Sequence, residues 1–551
     1  MGCTIPGRER DGPLLKQDRN LSIYNNPLLH PTGRIPKTRL HLETMELRDT
    51  FAFRTRPRGL PMPPCVRGRA GVWAIVGMSV MSACASSGRP ATTVPDSRGD
   101  SRPAGSSAVV ATIPAACGTV TPAVTRNGDT AEAPVATFDT AWSIIRRTHW
   151  DTTYNGVNWL ALRDELRPRA AAARTRGELR AVLSDMVGRL RQSHFAVIPQ
   201  ELVDGAAGGS GNGEPTRGGG GWLGVTYRYL DGAMVLTAVD SAGPAWRAGA
   251  RTGWTLEAIE GCPLSGRLAG LRLARDSDQR QVALGAYQTT TRLLDAAPGD
   301  TVAVTFRTPD GRRISSVLTL GEPPGVITKF GNLPPMIAHL TWQRIRQDGR
   351  TIGVIRFNTW MPVLSPLFDA AIDSLRSADA IVLDVRGNLG GVGGMSMGVA
   401  GHFVDTVLAL GTMHQRGVTL RMVTNPRRVD TRARSVRPFA GPLAIVVDEL
   451  SASTTEIFAG GLQALGRATV FGSQTAGQAL PSVPERLPNG DILYHAIADF
   501  IGANGRPVEG DGVRPDHVTP PTVRALVEGR DPALQAALAW AARQTGRPPV
   551  P

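Results

Sequence analysis

Lysine is nearly absent from this 551-residue chain, in which arginine supplies almost all of the positive charge. Only Lys16, Lys37 and Lys329 occur, and the first two lie close to the N-terminus. A buried lysine amine can act in catalysis as a general base or as a nucleophile. In the globular part of this chain, any such role would fall to Lys329 alone.

Cysteine is also scarce, and its pattern argues against a metal site. The five cysteines form no C-x-x-C pair, and none has a histidine at the spacing of a zinc site. We therefore expect no metal and no cofactor. Cys117 and Cys262 both fall in a part of the chain that we interpret below as exported, where disulfides form, and the sequence leaves their pairing open.

No basic stripe with interleaved aromatic residues is present, although the formal net charge is +14. Much of the excess lies before Cys84, and the remaining arginines are scattered among Ala, Gly and Pro. Proteins that bind polyanions cluster their basic residues on one face or along one helix. Nucleic acid is therefore not an expected partner.

Residues 62–84 have the order of a secretory signal: a short basic segment, an apolar stretch, and then small residues. The apolar stretch is too short to serve as a stable membrane anchor. The tetrapeptide Met81-Ser82-Ala83-Cys84 resembles the lipobox of bacterial lipoproteins, with Met81 in place of the usual Leu. The resemblance implies that Cys84 carries a diacylglycerol and becomes the mature N-terminus.

This interpretation predicts an exported protein that is held in the periplasm by its lipid, at the outer membrane. Met62 lies where the initiator of such a signal belongs, so residues 1–61 are interpreted as an upstream extension that is not translated in the cell. The alternative is a protein without a signal, in which residues 70–83 form a buried helix. Residues 85–135 contain few large apolar groups and are predicted to be a disordered tether.

The remaining sequence divides into four parts. We predict a helical part over residues 136–204, a glycine-rich linker over 205–217, a β domain over 218–322 and a core over 336–545. Apolar residues at three- and four-residue steps predict a helix that ends just before His194. Later, continuous apolar runs alternate with helical stretches, which predicts an α/β core with strands covered on both faces. These runs are 352–357, 380–385 and 443–447.

The β domain resembles a PDZ domain in the order of its motifs. A loop of Gly221, Trp222, Leu223 and Gly224 precedes a strand, a Pro-Ala-x-x-Ala-Gly turn and a closing strand, where Trp254 replaces the usual Asp. The resemblance implies that an extended peptide adds to the sheet edge and that loop N–H groups hold its terminal carboxylate. It also implies that Trp222, Leu223 and Gly224 line the binding pocket. The alternative is a β domain that only acts as a spacer.

Ser453 follows a predicted buried strand and precedes a helical pattern. A strand, a tight turn and a helix present one side chain at a helix N-terminus, where negative charge is favoured. A serine there can attack a carbonyl, with the N–H of Thr454 directed at the developing oxyanion. The alternative is an ordinary helix N-cap serine with no chemical role.

Another glycine turn follows a second predicted strand, in the sequence Asp384-Val385-Arg386-Gly387-Asn388-Leu389-Gly390-Gly391. Bare backbone N–H groups in such a turn can approach a substrate closely. The turn lacks the Lys-Ser/Thr pair of a phosphate-binding loop. By itself it does not identify an activity.

These segments, taken together, resemble the C-terminal processing peptidases, or tail-specific proteases, and the related core of the tricorn protease. The resemblance runs from about residue 138 to 545 and rests on Ser193-His194, the PDZ-like order, the glycine turn, the S-A-S-x-x-E motif around Ser453, and Glu509-Gly510-Asp511. It implies a core of the ClpP/crotonase-like fold with a helical N-terminal part and an inserted PDZ-like domain. It also implies a serine peptidase with Ser453 as nucleophile and with Gly390 or Gly391 on the oxyanion loop.

The family activates its serine in two ways, and the residues of this chain distinguish between them. The tail-specific branch uses a lysine in a T-x-G-K motif, which here reads Thr475-Ala476-Gly477-Gln478. Because glutamine cannot accept a proton as a base, the resemblance to the tricorn branch gives the base as His194, oriented by Glu509 directly or through Ser193.

Three alternatives stay open at this point. His194 could be a structural histidine near a helix C-terminus. His495 is the reserve candidate for the base. The whole chain could also be an inactive peptide-binding scaffold that lost the family lysine. The expected partner is a peptide or protein substrate, and the oligomeric state is not predicted.

Overall fold

The computed structural model describes residues 76–78, 130–204, 220–274 and 278–544. All of them belong to one compact unit, Ala74–Pro551. The predicted extension over 1–61, the lipidation site Cys84 and the linker over 205–217 lie outside the described residues. Within the predicted signal, the structure describes one short strand, β1 (Val76–Met78).

The N-terminal part is helical, as its apolar periodicity predicts. Its elements are α1 (Pro134–Thr148), α2 (Trp159–Ala172), α3 (Arg176–Gly188), β2 (Ala196–Ile198) and α4 (Gln200–Asp204). Local residues set the helix starts, because Pro134 opens α1, Asn158 caps α2, and Thr175 and Glu178 form a capping box on α3. The buried side chains of α3 are those that recur in its sequence.

The folded part begins slightly earlier than the predicted boundary at residue 136. Thr130 forms a β-bridge with Thr175, and the N–H of Ala131 donates to the carbonyl of Arg174 at 2.9 Å. Backbone pairing of this kind leaves no signal in the composition, so the sequence predicts a tether that continues to residue 135. The predicted tether is therefore too long at its C-terminal end.

An antiparallel sheet with flanking helices follows. Its elements are β3 (Val225–Leu230), β4 (Ala233–Val239), α5 (Pro244–Arg247), β5 (Thr255–Ile259), β6 (Cys262–Pro263), α6 (Leu264–Ala274), α7 (Gln279–Leu293), β7 (Thr301–Arg307) and β8 (Arg313–Thr319). The strand order is β3-β4-β5-β7-β8, which leaves β3 at one edge. This segment has its own apolar core, and we call it the inserted domain. Its Cys262 is disulfide-bonded.

Two short strands connect the inserted domain to the core, β9 (Val326–Thr328) and β10 (Met336–Ala338), which pair antiparallel. Lys329 lies between them, and its Nζ donates to the carbonyl of Val203 at 3.0 Å.

The core contains a six-stranded sheet whose strands alternate with helices along the chain. Its strands, in sheet order, are β11 (Leu340–Gln347), β12 (Arg350–Phe357), β13 (Ala380–Asp384), β17 (Leu443–Val447), β18 (Thr469–Gly472) and β22 (His517–Val518). All pairs are parallel except β11 with β12. Every residue of β13 and β17 is buried, which confirms the prediction of strands covered on both faces.

Helices cover this sheet on its two faces. They are α8 (Ser365–Leu375), α9 (Gly393–Ala400), α10 (Thr454–Ala464) and α12 (Pro532–Arg543), and the short helix α11 (Val523–Val527) precedes α12 in the chain. Residues of α12 pack on one face, and residues of α8, α9 and α10 pack on the other. None of the helices in the described part of the chain combines the length and the apolar character needed to cross a membrane.

Two smaller sheets complete the core and bring distant segments together. Their remaining strands are β14 (Gly390–Val392), β15 (Ala409–Gln415), β16 (Val418–Val423), β19 (Ser482–Arg486), β20 (Ile492–Ala496) and β21 (Asp499–Gly502). One sheet has the order β16-β15-β21, and the other has the order β14-β1-β19-β20-β2. Because β2 pairs with β20, the end of the helical part is fixed to the core immediately after His194.

Candidate active site

Ser453 lies in the turn between the buried strand β17 and helix α10, where it is the N-cap residue. Its backbone has φ 58° and ψ −121°, a conformation that a non-glycine residue adopts only when its surroundings enforce it. The side chain is 2% exposed. The strand, turn and helix predicted from the sequence are therefore present, and the turn is strained as nucleophile turns are.

His194 lies beside Ser453 although 259 residues separate them in the chain. Its Nε2 is 3.2 Å from Ser453 Oγ, within hydrogen-bonding distance. The backbone of His194 also has a positive φ, 62°. Burial lowers the pKa of His194 to about 3, so the ring is neutral at neutral pH and its nitrogen lone pair can accept a proton.

Ser193 connects His194 to Glu509, which answers the question of which group orients the imidazole. Ser193 Oγ is 2.7 Å from His194 Nδ1 and donates to Glu509 Oε2 at 2.8 Å. Glu509 also accepts from the N–H groups of Ser193 and Ala479, at 2.9 and 3.0 Å. Burial raises the pKa of Glu509, and these three hydrogen bonds act in the opposite direction.

The tautomer of His194 follows from this hydrogen-bond network. An ionised Glu509 only accepts, so the hydroxyl proton of Ser193 points to the carboxylate. Ser193 Oγ then accepts from Nδ1–H of His194, which leaves Nε2 without a proton and facing Ser453. The proton positions are assigned from the network, since the heavy atoms alone do not locate them. The lone pair of His194 Nε2 is therefore directed at Ser453 Oγ.

The glycine turn of the predicted oxyanion loop is hydrogen-bonded to the turn between β17 and α10 that carries Ser453, which we call the nucleophile turn. Thr454 Oγ1 donates to the carbonyl of Gly391 at 2.9 Å, and Thr455 Oγ1 donates to the carbonyl of Asn388 at 2.9 Å. Gly391 has φ 146°, and a Cβ there would lie 2.5 Å from the carbonyl oxygen of Trp360. Only glycine fits this position, so the loop can pass close to Trp360 and Thr454.

One of the two predicted oxyanion donors in this loop is wrong. The N–H of Gly390 donates to Asn388 Oδ1 at 3.0 Å, so it is already used within the protein. The sequence could not indicate this, because it depends on how the Asn388 side chain folds back on the turn. Thr454 stays as a candidate donor, and so does Gly391, which in this structure is paired with Gly77 of β1.

Glu456 is a residue of the site to which the sequence analysis assigned no role, although it belongs to the S-A-S-x-x-E motif. Its buried carboxylate accepts from Thr475 Oγ1 at 2.5 Å and from the N–H groups of Gly477, Gln478 and Ser453 at 2.7, 2.9 and 3.0 Å. Burial raises its pKa to about 7, and the four donors oppose this shift. Glu456 therefore holds the Thr475 to Gln478 loop against the nucleophile turn.

Gln478, at the position of the family lysine, is directed toward the inserted domain. Its side-chain Nε2 donates to Gln281 Oε1 on α7 at 3.0 Å. Its carbonyl accepts from the N–H of Ser453 at 2.8 Å. With Lys329 bound to Val203, no lysine among the described residues contacts Ser453.

The other described histidines have partners away from Ser453. His495 was the reserve candidate for the base, but its Nδ1 lies 3.3 Å from Thr148 Oγ1 and its Nε2 lies 3.1 Å from Glu485 Oε1. Both of its ring nitrogens are therefore occupied, and the reserve assignment is wrong. His149, His402 and His414 contact Gln192, Asp369 and Asp499, respectively.

The predicted carboxylate-binding loop of the inserted domain is partly used by the domain itself. The N–H of Gly221 donates to the carbonyl of Ala296 at 2.7 Å, and Trp222 exchanges two backbone hydrogen bonds with Gly321. The side chain of Leu223 packs in the domain core. The N–H groups of Gly221 and Trp222 are therefore used within the domain, and the roles of Trp222, Leu223 and Gly224 in lining the pocket stay predictions.

No cluster of three or more histidine, cysteine or acidic side chains suited to a metal ion occurs among the described residues.

Comparison with known proteins gives two matching domains. Residues 132–188 match the tricorn protease C1 domain, and residues 351–519 match peptidase family S41. The carboxyl-terminal-processing protease of Picosynechococcus sp. is 23% identical over 388 residues, which cover 69% of this chain and 82% of that protein. The chloroplastic carboxyl-terminal-processing peptidase 3 of Arabidopsis thaliana is 25% identical over 388 residues, which cover 68% and 67%.

A solved structure of a photosystem II D1 C-terminal processing protease aligns with 73% of this chain and 99% of its own, with 19% identity and a TM-score of 0.48. The first domain match covers the helices that precede His194, and the second covers the turn that carries Ser453. The chain therefore carries a peptidase family S41 domain over residues 351–519 and a tricorn protease C1 domain over residues 132–188, and it is similar to the carboxyl-terminal-processing proteases.

Proposed function

We propose that the chain is a serine endopeptidase of the C-terminal processing type that cleaves peptide bonds through an acyl-enzyme. The observation that carries the proposal is the line of contacts from Ser453 Oγ through His194 and Ser193 to Glu509, with distances of 3.2, 2.7 and 2.8 Å. This is the nucleophile, base and orienting group that acyl transfer requires.

In the first half of the proposed reaction, Ser453 Oγ attacks the peptide carbonyl while His194 Nε2 takes its proton. The oxyanion forms toward the N–H groups of Gly391 and Thr454, at the N-terminus of α10. The intermediate collapses when the C–N bond breaks, and His194 gives its proton to the leaving amine. In the second half, water repeats the attack on the ester and His194 returns the proton to Ser453.

Burial makes the imidazolium costly, and Glu509 offsets this cost through Ser193. Its carboxylate can stabilise the positive ring by way of the Ser193 hydroxyl, as a third group does in serine peptidase triads. Gln478 plays no part in proton transfer in this mechanism. The chain therefore follows the tricorn arrangement of the base and not the serine–lysine arrangement.

The inserted domain is proposed to capture substrate as a PDZ-like domain, and the core is proposed to be of the ClpP/crotonase-like type. The position of β3 at the sheet edge supports capture, since an extended peptide can add there as a further strand. We further propose export to the periplasm and anchoring to the outer membrane through Cys84, on the order of residues in the signal.

Active-site labelling tests the proposed function. A fluorophosphonate probe should label the wild type and should not label Ser453→Ala. His194→Ala should lower the turnover of a peptide substrate about 10³-fold or more, whereas Gln478→Ala should have a mild effect. An inactive scaffold would show no labelling of the folded wild type, and persistent labelling of Ser453→Ala would place the nucleophile elsewhere.

A further inference from the structure

Arg228 of the inserted domain makes a buried ion pair with Asp448, the residue that follows β17 and begins the nucleophile turn. We propose that Arg228 is a positioning residue for catalysis, which sets the nucleophile turn against the oxyanion loop from outside the core. This proposal rests on the peptidase function proposed above. It assigns the inserted domain a part in the reactive geometry that is separate from substrate capture.

The pair is short and excluded from water. Arg228 Nε lies 2.6 Å from Asp448 Oδ2, and the two residues are 5% and 4% exposed. Arg228 Nη1 also donates to the carbonyl of Tyr227 at 2.8 Å, so the guanidinium has a fixed orientation on β3. A planar guanidinium that is held in this way can position a carboxylate as a lysine cannot.

Asp448 uses its other oxygen to join the two loops of the site. Asp448 Oδ1 accepts from the N–H of Gly387, in the oxyanion loop, at 2.8 Å. It also accepts from the N–H of Leu450 at 3.2 Å, and its own N–H donates to Ser451 Oγ at 3.0 Å. The Asp448 carboxylate is therefore hydrogen-bonded both to the start of the oxyanion loop and to the turn that leads to Ser453.

Arg228 also contacts the oxyanion loop itself. A Cβ on Gly387 would lie 2.6 Å from Arg228 Nη2, so the guanidinium packs directly against this glycine. Gly387 has φ 73°, which favours glycine in any case. Four residues later the same loop supplies Gly391, the candidate oxyanion donor. A shift of Asp448 or Gly387 is thus transmitted along a short, buried segment to the reacting atoms.

The inserted domain has independent contacts with the core, so loss of the Arg228 pair does not release it. On α7, Arg280 donates to the carbonyls of Gly510 and Asp511 at 2.8 and 2.9 Å. Gln281 donates to the carbonyl of Ala476 at 3.0 Å. In an Arg228 variant we therefore expect the domain to stay in place, while the buried carboxylate of Asp448 loses the guanidinium that neutralises it.

The test compares Arg228→Gln, Arg228→Lys and a control, Arg307→Gln, in the full chain. Arg307 pairs with Glu257 inside the inserted domain and does not reach the core. The measurements are the rate of fluorophosphonate labelling of Ser453, kcat and KM for a peptide substrate, and the melting temperature. The labelling rate reports the reactivity of Ser453 without requiring peptide capture.

We expect Arg228→Gln to lower both the labelling rate and kcat roughly 100-fold, because small misplacements of reacting groups have effects of this size. KM should change little, Arg228→Lys should recover part of the loss, and Arg307→Gln should behave like the wild type. Folded Arg228→Gln with wild-type labelling and kcat overturns the proposal. So does a rise in KM with kcat unchanged, which would indicate substrate capture instead.

If Arg228→Gln does not fold, Arg228→Lys decides the question. A folded lysine variant with slowed labelling and unchanged KM supports positioning, and one that labels at the wild-type rate overturns it. A lysine variant that also fails to fold would assign Arg228 to stability alone and overturn the proposal. Failure of the peptidase function itself is distinguished by the wild type, which would then not be labelled.

Discussion

Replacement of Glu509 by Gln should abolish most of the activity by reversing the hydrogen-bond direction at His194. Glu509 accepts from the hydroxyl and the N–H of Ser193 and from the N–H of Ala479, and it has no donor partner to satisfy. A glutamine amide must direct its NH2 group at one of these donors.

Each orientation of the amide has a defined consequence. If NH2 replaces Oε2, it opposes the N–H of Ala479 and donates to Ser193 Oγ, and the Ser193 hydroxyl must then donate to His194 Nδ1. His194 would carry its proton on Nε2 and could not accept one from Ser453. If NH2 replaces Oε1, it opposes the N–H of Ser193, and the unsatisfied buried donors cost about 1–3 kcal/mol.

The size of the effect follows from the role of the orienting group. In serine peptidases, a substitution that enforces the wrong histidine tautomer and preserves the geometry lowers kcat about 10⁴-fold. We expect Glu509→Gln to lower kcat about 10³- to 10⁴-fold, which corresponds to roughly 4–5.5 kcal/mol of activation free energy. KM should change little, because Glu509 is buried behind Ser193.

The assay is steady-state hydrolysis of a peptide substrate, with circular dichroism to verify the fold. Glu485→Gln is a matched control, because Glu485 contacts another buried histidine, His495, away from Ser453. It should retain nearly wild-type kcat. A folded Glu509→Gln with kcat within about fivefold of the wild type would refute the tautomer argument.

The remaining predictions concern pH, Glu456 and the lipid anchor. In the unfolded chain His194 binds a proton once the pH falls below its usual pKa of 6.5, whereas in the folded protein it does so only near pH 3. Lower pH therefore favours the unfolded chain, and the free energy of unfolding should be about 2 kcal/mol smaller at pH 5 than at neutral pH. Chemical denaturation at several pH values measures this loss, which should be smaller in His194→Gln, and equal slopes would contradict it. Glu456→Gln should lower the free energy of unfolding by about 3 kcal/mol and slow labelling of Ser453, because a buried amide would face four donors; unchanged denaturation and labelling would contradict this. Cys84→Ala should abolish partitioning into the detergent phase, and unchanged partitioning would rule out lipidation.

Much of the site was predictable because its parts are local. The run of β-branched residues before Asp448, the small residues of the turn and the helical pattern after it predict a serine at a helix N-terminus. The structure has Ser453 there. The scarcity of lysine argues against an amine base, and composition alone establishes it.

The sequence misjudged features that depend on side-chain conformation. The glycine turn predicts Gly390 as an oxyanion donor, but in the structure its N–H donates to the Asn388 side chain. The backbone of Trp222 pairs with Gly321, which the order of motifs did not indicate, and the pocket role of Trp222 stays a prediction. Arg228 gave no signal, because an arginine in an edge strand reads as solvent-exposed until its partner is known.

The sequence by itself determined which chemical groups this protein can use: one well-placed serine, few histidines and almost no lysine. It also determined the local elements that present them, because buried strands, caps and turns depend on neighbours in the chain. Only the tertiary structure decided that His194 meets Ser453 through the pairing of β2 with β20, and that Glu509 acts through Ser193. Contacts between residues hundreds of positions apart depend on sheet register and packing, which no local pattern encodes.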